Sequence, residues 1–421
     1  MKIRFKNARI LPFCGEDAPF SGELHTQDDR VAYVGETPDT DGRFDRVIDC
    51  RGGLILPGFK NAHSHSAMTF LRSLADDLPL GEWLSEQVFP KEAKLQAEDV
   101  YTLTKLAFLE YLSGGITACF DMYHARDAIA SASMDAGFRT VITSGANDYG
   151  GSAEQMRDEH KRFSSLHPLI SYQLSVHGEY TTSLPLLSDI AALVKSLKAP
   201  FYSHMNESAE EVAGCIRRYG RRPFEQFDAL GLFDYGGGGY HCVHLSQGEM
   251  EIIQARGLYA ITCPASNLKL ASGIAPIEEL RRLSIPIAIG TDGPASNNCL
   301  DMFREMFLVT ALQKLRHGAC ATPAPAVLEM ACHTGALAMD LKDCDSLAPG
   351  KQADLCLIDL NQPNMQPENN IVKNLVYSGN KQNVALTMIA GRVLYERGEF
   401  HTGDDPASLY AKAREIVRRI G

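Results

Sequence analysis

The sequence predicts an α/β protein, a (β/α)8 TIM barrel with a small β-sandwich-like domain formed from both chain ends. Two observations predict the barrel. Eight apolar, β-prone segments each end in polar residues, and helix-like stretches such as EDVYTLTKLAFLEYLSG, with apolar residues at three- and four-residue spacing, lie between most of them. Strands that alternate with helices form a parallel sheet, and eight repeats close it into a barrel.

The eight segments and the two ends follow a simple order along the chain. The ends have β character: IRFKNARIL, RVAYVG and RVIDC at the start, then ADLCLIDL, VALTMIAGRVLYERGEF and a final helix, PASLYAKAREIVRRI. We therefore expect 1–53 and 347–421 to form the small β domain with its C-terminal helix, and 54–346 to form the barrel. The barrel segments are 54–65, 115–122, 139–145, 169–178, 200–208, 239–246, 258–267 and 286–293.

Composition and charge limit the classes of function. The 421 residues are 45% hydrophobic and 22% charged, which is ordinary for a globular protein, and the formal net charge is -11. A negative balance disfavours nucleic-acid and anionic-membrane partners. We expect a small-molecule substrate, no nucleic acid and no membrane, and leave open whether the chain forms a homo-oligomer.

The cysteines and the start of the chain indicate the compartment. Eleven cysteines occur without a CxxC pair, which is typical of reduced thiols. The stretch MKIRFKNARILPF lacks the apolar core of a signal peptide, and no run of about 20 apolar residues occurs. We expect a cytoplasmic protein.

Histidines and an aspartate end several barrel segments, where the active sites of such barrels lie. The first segment ends in His63-Ser64-His65, and residues two apart on a strand point to the same side, so both imidazoles can reach one ion. His204 is a natural third ligand. Asp292, in GTDG, is costly to bury at a barrel mouth unless it is paired or binds metal; capping the next helix is its alternative role.

Three further residues complete the candidate site. Glu207, three residues after His204, can move protons beside a metal without binding it, although it could also act as an acid near a helix N-terminus. Of His241 and His244, we expect His241 to face the site. His177 ends the fourth segment, where two-metal relatives of this barrel class carry a lysine, so one metal ion is expected.

Together these residues predict a mononuclear hydrolytic site. The metal ligands would be His63, His65, His204 and Asp292, with His241 beside them. This donor set fits one divalent ion; zinc is expected, and iron(II) or manganese would be tolerated.

At the level of motifs the chain resembles the amidohydrolase superfamily. The motifs that carry the resemblance are LPGFKNAHSHSAMTFLRSLADDLPLGEWL, PKEAKL, SHMNES, CPASNLKLASGIAPI and GTDGPASNN, and PGKQADLCLIDL continues it beyond the barrel. Within the superfamily they are similar to the branch of S-adenosylhomocysteine, methylthioadenosine and adenosine deaminases, with triazine hydrolases and guanine deaminases as cousins.

The resemblance implies roles for individual residues. The four ligands named above would bind the metal, Glu207 would shuttle protons, and His241 would contact the attacking hydroxide or the developing oxyanion. Glu92, in PKEAKL, would hold ribose hydroxyls, while Trp83 and His177 would line the substrate pocket. The catalytic set is therefore Glu207, His241 and Asp292.

Three departures from the family pattern bear on the substrate. Thr262 replaces a histidine that is not a metal ligand. Ser144 and Ser152 stand roughly where homocysteine-handling relatives place arginines for the substrate carboxylate, so Arg157 or Lys161 would have to replace them. His177 is followed by Gly178-Glu179 instead of a small residue and proline. The pocket is altered on the side away from the metal.

The expected function is metal-dependent hydrolytic deamination of an aminopurine, with adenosine or a 5′-substituted adenosine with a neutral tail as substrate and ammonia as product. One alternative keeps the site but acts on another amino- or chloro-substituted heterocycle, such as guanine, a pterin or an s-triazine. A cytidine-deaminase fold is set aside because no PCxxC follows the HGE at 177–179. A non-catalytic barrel that only binds ligands would be expected to lose metal ligands, and this chain keeps all of them.

Overall fold

The computed structural model describes residues 1–14, 18–36, 42–74, 76–78 and 80–421. Its strands form two sheets. The strands are β1 (Lys2–Ile10), β2 (Phe20–Gln27), β3 (Arg30–Gly35), β4 (Arg46–Asp49), β5 (Leu54–Pro57), β6 (Phe59–Ser64), β7 (Ile116–Met122), β8 (Arg139–Thr143), β9 (Ile170–Gly178), β10 (Phe201–Met205), β11 (Gly237–His241), β12 (Tyr259–Thr262), β13 (Ile287–Ile289), β14 (Leu355–Ile358), β15 (Val384–Ile389), β16 (Arg392–Glu396) and β17 (Glu399–Phe400).

Helices lie between most barrel strands and continue beyond the last one. They are α1 (Leu80–Glu82), α2 (Phe89–Glu92), α3 (Ala97–Ser113), α4 (Arg126–Ala136), α5 (Ala153–Phe163), α6 (Leu184–Leu197), α7 (Ala209–Tyr219), α8 (Pro223–Ala229), α9 (Gln247–Arg256), α10 (Pro264–Lys269), α11 (Ile277–Arg282), α12 (Met302–His317), α13 (Ala324–Ala331), α14 (His333–Ala338), α15 (Ile371–Tyr377) and α16 (Pro406–Ile420). Short 3-10 turns occupy Ser66–Leu71, Glu179–Thr181, Pro363–Met365 and Lys381–Asn383, and a π turn occupies Trp83–Val88.

The strands β6 to β13 form the barrel predicted from the sequence. In the described chain they are eight parallel strands that pair in chain order. Seven of the eight predicted segments each contain one of these strands, and the segment 239–246 overlaps β11, which begins two residues earlier. Apolar side chains from these strands, including Phe120, Tyr202 and Tyr240, fill the interior. The filled interior closes the lower part of the barrel and leaves its carboxyl-terminal face for a site.

The first and last barrel strands meet through loop contacts. The backbone N–H of Asp292 donates to the carbonyl of His63 at 3.0 Å, and Asn61 and Thr291 exchange two further hydrogen bonds. Gly290 makes this approach feasible, because a Cβ there would lie 2.8 Å from the backbone nitrogen and oxygen of His63. Closure thus brings the end of β13 directly against the end of β6.

The two chain ends build the second sheet, as predicted. Its main path runs β17-β16-β15-β14-β5-β1-β2-β3, with β4 paired to β1, and the sheet surrounds its own hydrophobic core. The strand β5 pairs with β1 and β14, so the first predicted barrel segment divides between the sheets. The limits 1–53 with 347–421 and 54–346 remain our proposed domain division.

Several helices begin at serine caps directly after the strand ends. The hydroxyls of Ser152, Ser208 and Ser246 accept hydrogen bonds from backbone N–H groups in the first turns of α5, α7 and α9. A serine cap satisfies a free helix donor and stabilises the helix start by about 1 kcal/mol. These caps set where the chain turns from strand to helix around the site. No helix among the described residues is long and apolar enough to cross a membrane.

Candidate active site and metal centre

A cavity of about 680 Å³ opens at the carboxyl ends of the barrel strands. This volume lies in the usual range for small-molecule sites. Sequence-predicted residues from separate parts of the chain line it together: His65, Trp83, Glu92, His177, His204, Glu207, His241 and Asp292. His63 lies fully buried behind this wall.

The proposed metal ligands converge at one end of the cavity. The Nε2 atoms of His63 and His204 lie 3.1 Å apart. Asp292 Oδ1 lies 3.3 Å from His65 Nε2 and 3.7 Å from His63 Nε2. These atoms form two overlapping groups with metal-binding geometry, one of His63, His65 and Asp292 and one of His63, His204 and His241.

Hydrogen bonds on the far side of three rings orient the histidines. The Nδ1 atoms of His65 and His204 contact the backbone carbonyls of Met122 and His177, each at 2.6 Å, and His241 Nδ1 contacts Asn267 Oδ1 at 2.7 Å. Carbonyl oxygens can only accept, so each Nδ1 donates and each Nε2 is left for the cavity. Such outer contacts are the usual support of metal-binding histidines.

His63 is held by packing instead. Its ring stacks on Tyr240 with centroids 3.9 Å apart, and its Nδ1 has no hydrogen-bond partner among the described residues. Burial and the neighbouring His65 lower the pKa of His63 well below its usual value, and burial with neighbouring histidines does the same for His204. Both rings are therefore neutral, the form that binds a divalent ion.

Asp292 is fixed on both sides. Its Oδ2 accepts hydrogen bonds from the hydroxyls of Ser266 at 2.5 Å and Ser296 at 2.8 Å, while the Gly293 N–H donates to Oδ1 at 2.7 Å. Burial alone would raise its pKa, but the neighbouring His65, His241 and His63 hold the pKa well below the usual range. The residues fit a divalent ion: imidazole nitrogens, two of them from the neutral rings of His63 and His204, and one ionised carboxylate face the same space.

Glu207 stands beside this cluster. Its Oε2 lies 3.8 Å from His241 Nε2, its side chain is buried, and burial raises the pKa of its carboxyl group. Glu211 accepts the backbone N–H groups of Asn206 and Glu207 at 2.9 and 2.7 Å, which holds the strand end that carries Glu207. Sequence reasoning missed Glu211; its signal was a second acid four residues after Glu207 at the helix start.

Glu92 lines another part of the cavity, near Tyr123. Burial raises the pKa of Glu92 to about 7, and neither Glu92 Oε1 nor the Tyr123 hydroxyl has a hydrogen-bond partner among the described residues. His177 contacts the Thr181 hydroxyl through Nδ1, which leaves Nε2 free, and burial lowers the pKa of His177 to about 4. Glu92 is thus a half-buried residue that brings a carboxyl group to the cavity wall.

The residues discussed for the altered side of the pocket lie in different places in the structure. Ser144 lines the cavity and donates to the Ser175 carbonyl, whereas Ser152 caps α5. Arg157 and Lys161 are exposed and do not line the cavity. The guanidinium in the cavity wall comes from Arg126. It was missed because Arg126 begins a helix after a different strand, and nothing in its sequence context marks it.

Comparison with known proteins decides the family. The model of the amidohydrolase family matches residues 54–394. The chain belongs to the amidohydrolase family. A curated relative from Thermoanaerobacter pseudethanolicus, named 5-methylthioadenosine/S-adenosylhomocysteine deaminase, is 34% identical over 100% of both chains. One of the same name from Nitratidesulfovibrio vulgaris is 40% identical over 89% of this chain and 87% of its own.

Solved structures agree with this assignment. An adenosine deaminase from Xanthomonas campestris with bound zinc superposes with a TM-score of 0.93 at 32% identity, over 100% of this chain and 98% of its own. An atrazine chlorohydrolase from Arthrobacter aurescens in complex with zinc shares the fold at 19% identity, with a TM-score of 0.90 over 99% of this chain and 100% of its own. This amidohydrolase is therefore an enzyme of the deaminase type that hydrolyses C–N bonds, as predicted.

Proposed function

We propose that this amidohydrolase is a deaminase of an aminopurine, with adenosine or a 5′-substituted adenosine with a neutral tail as substrate and ammonia as product. The proposal rests on one observation. A single cavity of about 680 Å³ brings together Glu207, Glu92 and the cluster of histidines and Asp292 that could hold a metal ion. The names of the relatives and the zinc-bound adenosine deaminase structure support it.

We assign the metal ligands as His63, His65, His204 and Asp292. The ion is zinc in this proposal, because zinc suits nitrogen and carboxylate donors and is bound in the similar adenosine deaminase structure. When bound, the ion supplies Lewis-acid activation of the attacking water. The other catalytic roles, which are proton transfer and stabilisation of charge, belong to side chains of this chain.

The reaction adds water across the C6–N1 bond of the purine and then expels the amine. Glu207 donates a proton to ring atom N1, which makes C6 electrophilic. Asp292 accepts a proton from the attacking water. His241, whose Nε2 faces the cavity because Nδ1 donates to Asn267, stabilises charge on the new oxygen when protonated. Glu207, now a carboxylate, takes the proton of the new C6 hydroxyl and delivers it to the amine. The bond from C6 to the amine nitrogen breaks, C6 becomes a carbonyl and ammonia leaves, and the proton held by Asp292 returns to Glu207.

The remaining polar groups of the cavity suit a nucleoside. Glu92 has an unpartnered carboxyl oxygen, and a carboxylate accepts hydrogen bonds from the paired ribose hydroxyls. Trp83 provides a buried aromatic wall, and His177 offers a free Nε2. These three residues form the proposed substrate-binding set.

Release of ammonia by the zinc-loaded protein tests the proposal. The substrates are adenosine, methylthioadenosine, S-adenosylhomocysteine, guanine, a pterin and an amino- or chloro-s-triazine, with chloride measured beside ammonia. We expect the adenine nucleosides to give the highest kcat/KM. Turnover of only the free bases, or release of chloride alone, would replace the nucleoside assignment with the alternative heterocycle reaction.

A further inference from the structure

One ion pair lies in the outer wall of the active-site cavity. Arg126, the first residue of α4, lines the cavity, and its Nη2 lies 2.7 Å from Glu159 Oε1 on α5. The two side chains are 12% and 9% exposed, so this pair is largely shielded from water. A pair in such a place interacts more strongly than one on the surface.

The rest of the guanidinium is held by backbone, apart from one donor. Arg126 Nη1 donates to the carbonyls of Ser144 at 3.0 Å and Tyr123 at 3.3 Å. Its Nε is buried and has no hydrogen-bond partner among the described residues. Arg126 therefore brings to the cavity wall a guanidinium whose positive charge already has a partner.

Glu159 is firmly held as that partner. Its Oε1 also accepts from Gln155 Nε2 at 2.9 Å, and its Oε2 accepts from the Tyr172 hydroxyl at 2.9 Å. Two hydrogen bonds and one ion pair therefore hold the Glu159 carboxylate in place. Gln155 lines both the cavity and the external groove that contains Glu159, so the pair lies where the cavity wall borders the outside.

The Arg126–Glu159 pair determines whether the cavity accepts a charged group on a ligand. Within the described lining, Arg126 is the one guanidinium or ammonium group. A carboxylate on an entering ligand would meet Glu159 across the same guanidinium, and like charges in a shielded site repel. A neutral tail, such as one that ends in a thioether or hydroxyl, meets no such repulsion at this wall.

We infer that Glu159 is a specificity-determining residue: by neutralising Arg126 it restricts the substrate tail to neutral groups. The inference rests on the proposed nucleoside deaminase function and names the feature that selects the 5′ substituent. Glu159 acts through Arg126, and Arg126 contacts the tail.

The test compares two thioether nucleosides that differ only by a carboxylate, methylthioadenosine and its 5′-carboxymethylthio analogue. The measured quantity is the ratio of kcat/KM for the anionic tail to kcat/KM for the neutral tail. Glu159→Gln keeps the shape and the acceptor for Tyr172, and we expect it to raise this ratio at least about tenfold, the scale of one charge-assisted hydrogen bond. Asp158→Asn, at the exposed neighbouring acid, is the matched control and should leave the ratio unchanged.

The double variant Arg126→Gln/Glu159→Gln should lose the gain, because the gain requires the freed guanidinium. An unchanged ratio in Glu159→Gln, or a gain that persists in the double variant, would overturn the inference while wild-type turnover of methylthioadenosine leaves the proposed function intact. If Glu159→Gln does not fold, the wild-type ratio decides: equal use of both tails overturns the inference. No turnover of either nucleoside overturns both proposals.

Discussion

The Nε2 atoms of His63 and His204 face each other at 3.1 Å, although the two residues are 141 positions apart in the chain. Both rings are neutral because burial lowers their pKa values. A neutral imidazole has one unprotonated nitrogen, so each ring can offer its Nε2 to a cation that lies between the two rings. We therefore expect about one divalent ion per chain, as the single set of four donors implies.

The ion should disappear when its donors are removed. His63→Ala and Asp292→Ala should lose metal and activity together, as measured by elemental analysis and ammonia release. His244→Ala is the control, because His244 Nε2 contacts the Ser272 carbonyl and not the cluster. Two ions per chain, or full activity after exhaustive chelation, would contradict the mononuclear assignment.

Glu207 should affect catalysis and not metal binding. Glu207→Gln keeps the size of the side chain but cannot donate and accept the proton, so kcat should fall at least about 100-fold. Metal content, measured on the same sample, should stay near that of the wild type. Loss of metal in this variant would show that Glu207 is a ligand.

Glu92 should make substrate binding depend on pH. Burial raises its pKa to about 7, so the carboxylate that accepts ribose hydroxyls is lost as the pH falls through about 7. We expect KM for adenosine to rise on acidification, and Glu92→Gln to raise KM at pH 8 and to flatten its pH dependence. The same profile for 2′,3′-dideoxyadenosine separates ribose contacts from other effects; an unchanged acid rise in Glu92→Gln would assign the titration elsewhere.

The tail of the nucleoside should matter strongly. We expect adenosine or methylthioadenosine to be turned over with kcat/KM about 100-fold higher than S-adenosylhomocysteine, because a desolvated carboxylate without its own cation costs a few kcal/mol. Steady-state kinetics on the three nucleosides measures this. Equal or better kcat/KM for S-adenosylhomocysteine would show that the protein provides a charge partner for the tail.

A buried ion pair joins the barrel to the sheet of the chain ends. Arg139 Nε on β8 donates to Oδ2 of Asp354, just before β14, at 2.6 Å, and the Ala390 N–H donates to Oδ1 at 2.7 Å. Asp354→Asn leaves the buried guanidinium unpaired and should lower the free energy of unfolding by about 3–5 kcal/mol. Denaturant unfolding measures it.

The control for that change is Asp343→Asn, which breaks the exposed Arg30–Asp343 pair and should cost about 0–1 kcal/mol. The stability from Asp354 also has a defined pH dependence. Burial by itself would raise its pKa, but Arg139 outweighs burial and lowers it, so this stability is present at neutral pH and lost on acidification through the lowered pKa. Equal losses of unfolding free energy in Asp354→Asn and Asp343→Asn would contradict the structural role of the Arg139–Asp354 pair.

Much of the site could be predicted because its residues follow strand ends. The pair His63 and His65 has strand spacing, and His204, His241 and Asp292 each end or follow a β-prone segment, so barrel topology alone brings them to one face. The two serines and the asparagine that orient Asp292 and His241 were not assigned roles, although Ser266 and Asn267 lie in the recognised CPASN motif. Their partners are distant in sequence, so no local pattern names them.

The sequence by itself determined the β/α alternation, the strand-rich ends, the amidohydrolase motifs and the candidate ligands, because periodicity and residue type are local properties of the chain. Only the tertiary structure decided that β5 joins the sheet of the chain ends and that Arg139 pairs with Asp354. It also decided that Arg126 lies in the cavity wall and pairs with Glu159. Each depends on packing between segments far apart in the chain. The energy of such a contact comes from burial and charge pairing, which no single stretch of sequence contains.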